Sequence, residues 1–104
     1  MQVSLLNLTP RAQMVDADDR PYFLWDQDLS LDAFEARLVD NDPDIRSYFI
    51  GKLLRQTRPD DVFQFVSPQA IIDDWPRVRR HLGQSLGLWE WLLNTWVKNG
   101  YVHW

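Results

Sequence analysis

The chain contains no cysteine. Disulfides, thiolate zinc sites and cysteine nucleophiles are therefore excluded, and the composition suits a reducing cytoplasm. Glycine is scarce, with four in 104 residues, and none sits in a phosphate-cradling loop. The two histidines, His81 and His103, lie far apart, and neither has a carboxylate at metal-ligand helical spacing. No apolar run is long enough to cross a membrane, and MQVSLLNLTPRAQM reads as neither a signal peptide nor a span. Internal repeats and low-complexity tracts are absent.

Other starting points for chemistry fail in the same way. Asp16, Asp18 and Asp19 hint at a calcium loop but lack its glycine and its distal glutamate. Ser47, Ser67 and Ser85 have no evident base. The pairs Asp60–Asp61 and Asp73–Asp74 are adjacent, so on a helix they point in different directions. The expectation is a non-catalytic chain with no metal, no cofactor and no membrane segment.

What is present is a core in the making. Hydrophobic residues make up 45% of the chain and aromatics 13%, including six tryptophans. That length and apolar share fit one domain. Charge is uneven: residues 14–44 hold ten acids and two bases, and residues 45–104 hold five acids and eight bases. Such asymmetry marks either a surface for a charged partner or two parts of the fold that face each other.

Capping signals divide the chain. Ser30 opens LSLDAFEARLVD, with Asp32 and Glu35 near the positive end of the helix dipole and Leu31, Phe34 and Leu38 at helical spacing. Asp42 and Pro43 open PDIRSYFIGKLLRQT, with Ile45, Phe49 and Leu53 on one face and Tyr48 and Leu54 beside them. Gly51 within that helix implies a close crossing. Pro59 starts a short helix with Val62, Phe65 and Val66. Ser67 and Pro68 start another, with Ile71, Ile72 and Trp75 turned inward. Pro76 ends it or begins PRVRRHLG, and Gly83 stops the run. In SLGLWEWLLNTWVKNG, Leu88, Leu92 and Trp96 share a face with Trp89 and Leu93 beside them, and Gly100 closes the helix.

The reading is an all-α, compact single domain of five or six short helices with an extended N-terminal segment. Residues 1–20 form an arm and residues 21–104 the helical domain. The strand candidates are LLNL, YFLW and YVHW. Pro21 turns Arg20 away from helix, and PYFLW is expected as an extended segment wedged into the core, both sides covered.

Two sets of residues suggest binding. Trp75, Trp89 and Trp96 follow apolar stripes and belong to the core. Trp91 lies off the stripe, Trp104 is terminal, and Trp25 sits among acids, so these three are candidate partner contacts. Tyr101, Asp18, Asp19, Asp26 and Asp28 complete that set. Arg77, Arg79, Arg80 and His81 form a basic cluster, to which Arg55 and Arg58 can add, suited to phosphate or carboxylate. A helix-turn-helix built on it would bind nucleic acid, against which the overall acidity argues. A solvated or intramolecularly paired face is the simpler account of the cluster.

The stretches PYFLWDQDLS, SYFIGKLLRQ, DDVFQFVSPQAI and LWEWLLNTW together resemble a family of small uncharacterised bacterial helical proteins with an aromatic-Trp-Asp opening. The resemblance runs from about Pro21 to Trp96 and carries no catalytic residues. Members are often encoded beside nucleotidyltransferase-type toxins, which implies an antitoxin or accessory role. Beside it stand the readings from the residues: a cytoplasmic binding protein that masks a larger protein partner, a nucleic-acid-binding regulator using Arg77 to Arg80, and, weakest, an enzyme. A nucleic-acid-mimicking inhibitor is a variant of the first, and a homodimer, with PYFLW as its contact, is a separate alternative.

Overall fold

A computed structural model describes residues 9–103. The LLNL strand candidate and Trp104 lie outside the described residues. Among those described there are seven α-helices: α1 (Arg11–Met14), α2 (Leu31–Leu38), α3 (Pro43–Gln56), α4 (Pro59–Val62), α5 (Pro68–Asp73), α6 (Trp75–Val78) and α7 (Leu86–Lys98). Two 3₁₀ turns, Arg79–His81 and Gly83–Ser85, join α6 to α7. The all-α class holds. The extra helix is the single turn α1, in a stretch whose pattern was too weak to signal it.

Local chemistry sets the boundaries. Ser30 Oγ accepts from Ala33 N at 3.1 Å, Asp42 Oδ1 from Asp44 N at 2.9 Å, and Ser67 Oγ from Ala70 N at 3.1 Å. Each cap satisfies an amide that the first turn leaves unbonded. Gly83 and Gly100 take positive φ, 54° and 80°, where the first 3₁₀ turn and α7 must be left behind.

Helix α3 is the hub: α2, α4, α6 and both 3₁₀ turns pack on it. Its buried positions are Ser47, Ile50, Gly51, Lys52, Leu53 and Leu54. The face read from sequence is therefore rotated, and Ile45 and Tyr48 are exposed. Neighbours lie on two sides of α3, so no single stripe describes it. In α7 the deepest residues are Trp89 and Leu93, while Leu92 and Trp96 are half-buried and Leu88 is exposed. Trp89 Nε1 donates to Leu54 O at 3.0 Å, near the end of α3 where carbonyls lack intrahelical donors.

PYFLW is not extended. Leu24 N donates to Pro21 O at 3.0 Å and Gln27 N to Leu24 O at 3.2 Å, so the segment coils through successive turns. That geometry sends both Phe23 and Leu24 into the core, leaves Trp25 largely exposed, and leaves Tyr22 partly exposed with its hydroxyl turned in to Asp61. Phe23 sits edge-on to Phe34 and Phe65, with ring centroids 5.1 and 5.7 Å away, an arrangement that suits aromatic quadrupoles. Just before it, residues 15–21 form a tight acidic loop closed by an antiparallel bridge between Val15 and Pro21, with Asp19 at φ 59°.

The YVHW segment is likewise no strand among its described residues. Val102 is buried, and the Gln69 amide supplies the hydrogen bonds a neighbouring strand would give. Its Nε2 donates to His103 O and its Oε1 accepts from His103 N, both at 2.9 Å.

Candidate partner-binding surfaces

Helix α7 has two unlike sides. Trp89 and Leu93 face the core, and Trp91, two residues from each, points about 200° away. Trp91 is 63% exposed and Leu88, one turn back, 48%. Beyond the helix Tyr101 is 76% exposed. Phe63 meets the inner side, with ring centroids 5.4 Å from Trp96 and 6.2 Å from Trp89. The domain therefore covers some of its large aromatics and leaves others bare.

Trp25, 75% exposed, stands on the wall of an open cleft of about 590 Å³. Met14, Tyr22 and Leu24 line it beside Asp16, Arg20, Asp26 and Asp28. Arg20 lies 3.4 Å from Asp16, 3.4 Å from Asp18 and 3.7 Å from Asp28. Backbone hydrogen bonds from Arg20 N and Asp18 N hold the Asp16 carboxyl below its usual range, with the Arg20 charge adding to the effect. Asp18 and Asp19 are exposed, and Asp19 lines a separate cleft with Arg11, Ser30 and Asp32.

Asp26 has a second role that its sequence gave no sign of. Its Oδ2 accepts from Lys52 Nζ at 2.7 Å. The Lys52 side chain is 1% exposed although its Asp26 partner stays partly open. The hydrogen bond from Lys52 lowers the Asp26 pKa against a smaller opposing effect of burial. Arg77 lies 3.9 Å from Asp44. These two pairs join the acidic first part of the chain to the basic second part.

Asp61 is the other residue with no local signal. It is fully buried, and it accepts from Thr9 N at 2.7 Å, Thr9 Oγ1 at 2.8 Å, Tyr22 OH at 2.8 Å and Gln64 Nε2 at 3.1 Å. Burial alone would raise its pKa, but these hydrogen bonds and the Arg58 charge outweigh it, and the net shift is downward. Tyr22 is pushed up to about 12, chiefly by burial and also by its bond to Asp61. A carboxylate so fully bonded is a tie between distant segments. In the sequence, Asp61 stands out only as half of the adjacent pair Asp60–Asp61.

The basic cluster is divided by the fold. Arg79 lies 3.8 Å from Glu90 and Arg77 faces Asp44. Arg80 is exposed. His81 is half-buried, its ring edge-on to Tyr48 at 5.5 Å, and its carbonyl accepts from Arg55 Nη1 at 2.8 Å. Burial, then the Arg80 and Arg55 charges, push the His81 pKa down. His81 is thus a packing residue, and Arg80 is the member of the cluster most open to a ligand.

Among the described residues no group of three or more His, Asp or Glu is placed to hold a metal, and no helix is long and apolar enough to cross a membrane. Comparison with family models, with curated proteins and with solved structures finds no match. The resemblance to the toxin-associated family rests on its quoted stretches alone.

Proposed function

We propose that this chain is a non-catalytic protein-binding module acting in the cytoplasm, where a cysteine-free chain is at home. The observation that carries this is Trp91, bare on the outer side of α7 while Trp89 on the inner side is 1% exposed. Tryptophan dominates interface hot spots because one planar side chain covers a large area at little rotameric cost. Leu88 beside it and Tyr101 past the helix supply further apolar surface, and the acidic loop adds charge that steers a basic partner. Antitoxin-like masking of a nucleotidyltransferase-type toxin is the form of this function that the resemblance implies.

The test is capture of the partner from the native host with the tagged full chain, at about 0.15 M and about 0.5 M salt. A discrete protein retained at both salts, and lost with Trp91→Ala, is the expected result. Nucleic acid that elutes at the higher salt and is lost with Arg80→Ala would replace this reading with the nucleic-acid one, since phosphate contacts weaken steeply with salt. A partner retained equally by wild type and Trp91→Ala would remove α7 from the interface.

A further inference from the structure

We propose that the cleft beside Trp25 receives one cationic side chain, an arginine or lysine projecting from a partner protein. The proposal rests on the protein-binding reading above and names the chemistry of one of its contacts.

Three features converge on that ligand. The Trp25 indole is uncovered and forms a wall of the cleft, and tryptophan is the ring that attracts a cation most strongly over its face. The charged lining is three carboxylates, Asp16, Asp26 and Asp28, against Arg20 alone. Carboxylates still outnumber cations when Lys52, bonded to Asp26, is counted. The resident Arg20 does not saturate them. Its contact to Asp28 is long, 3.7 Å, and the Asp28 side chain is 92% exposed. The cleft, about 590 Å³, has room for a guanidinium and its aliphatic stem, which would lie along the exposed Trp25 ring.

Other ligand chemistries fit less well. An anion would meet three carboxylates. A purely apolar group would strip water from them without returning hydrogen bonds. A cation offers donors to Asp28 and charge to the indole together. Asp16 and Asp26 have lowered pKa values, so both stay charged at neutral pH.

The experiment titrates the labelled full-length chain with hexa-arginine, hexa-lysine and hexa-glutamate peptides and follows by NMR the tryptophan indole N–H signals and the backbone amides of residues 16–28, which give the affinity in every variant. Hexa-arginine and hexa-lysine are expected to shift the Trp25 indole saturably, and hexa-glutamate to leave it unmoved. Affinity should fall about fivefold with Trp25→Ala and fall again with Asp28→Asn. Both side chains are exposed, so circular dichroism should show both variants folded. Equal affinity for wild type and Trp25→Ala would overturn the proposal, because diffuse attraction to the acidic loop would then suffice. Self-association in sedimentation that Arg80→Glu abolishes would also overturn it, by making a second copy of this chain the occupant. Trp91→Ala separates the two readings. It should leave hexa-arginine binding unchanged, so peptide binding can fail while partner capture through Trp91 stands, and the reverse.

Discussion

Gly51 in α3 lies directly against His81 in the first 3₁₀ turn: a Cβ added to Gly51 would sit 2.6 Å from the Cβ of His81. Neither atom can swing away, because each is fixed to its backbone. The crossing of α3 with the α6–3₁₀ segment is therefore built around the missing side chain. Gly51→Ala should lower stability by about 1–2 kcal/mol, as overpacking outweighs the helix propensity gained. Gly87, in the first turn of α7, has nothing within 4 Å of such an added atom. Gly87→Ala should instead stabilise by about 0.5–1 kcal/mol. Urea denaturation of the two variants checks both signs, and a stable Gly51→Ala protein would contradict the close crossing.

The Lys52–Asp26 pair should respond asymmetrically. Asp26→Asn leaves a buried ammonium without its counter-charge and should cost on the order of 2 kcal/mol. That is less than the roughly 3–5 kcal/mol for a fully buried pair, because Asp26 stays partly hydrated. Lys52→Met removes the buried charge, keeps the stem volume and leaves a carboxylate that water can reach. It should change stability by less than about 1 kcal/mol. Thermal melts of both variants decide this, and an equal loss in each would mean that the pair acts as a symmetric unit.

Acid should loosen the tie at Asp61. Its folded-state pKa lies below the ordinary carboxyl value, so the unfolded chain takes up the proton first as pH falls. The stabilisation is complete above about pH 4 and is lost as pH drops through the folded value. Asp61→Asn should flatten that acid limb and lower stability at neutral pH by about 2 kcal/mol, through weakened charge-assisted bonds to Thr9 and Tyr22. Denaturant midpoints between about pH 2.5 and 7 provide the check. An unchanged acid limb in Asp61→Asn would assign acid sensitivity to other carboxylates.

Much of the fold was legible because helix starts are local. Ser30, Asp42 and Ser67 cap the helices their spacing announced, and Gly51, Gly83 and Gly100 sit where a crossing or a stop was expected. The short α1 was not legible, since one turn shows no periodicity. PYFLW reads as extended, and the structure coils it, because alternation within five residues does not distinguish a strand from consecutive turns that bury two neighbours. On the surface, the exposure of Trp91 followed from its place off the stripe. The burial of Lys52 and Asp61 had no such signal, because Asp26 lies 26 residues from Lys52, and Tyr22 and Thr9 lie 39 and 52 residues from Asp61.

The sequence by itself determined the helical class, the caps and breaks, and which tryptophans follow an apolar stripe, all of which depend on residues a few positions apart. The tertiary structure alone decided which side of α3 is inside, which charges are paired, and that Trp25 opens onto a carboxylate-lined cleft. These depend on how distant segments meet, and burial of a charge or an aromatic is a property of that meeting, not of the residue's neighbours in the chain.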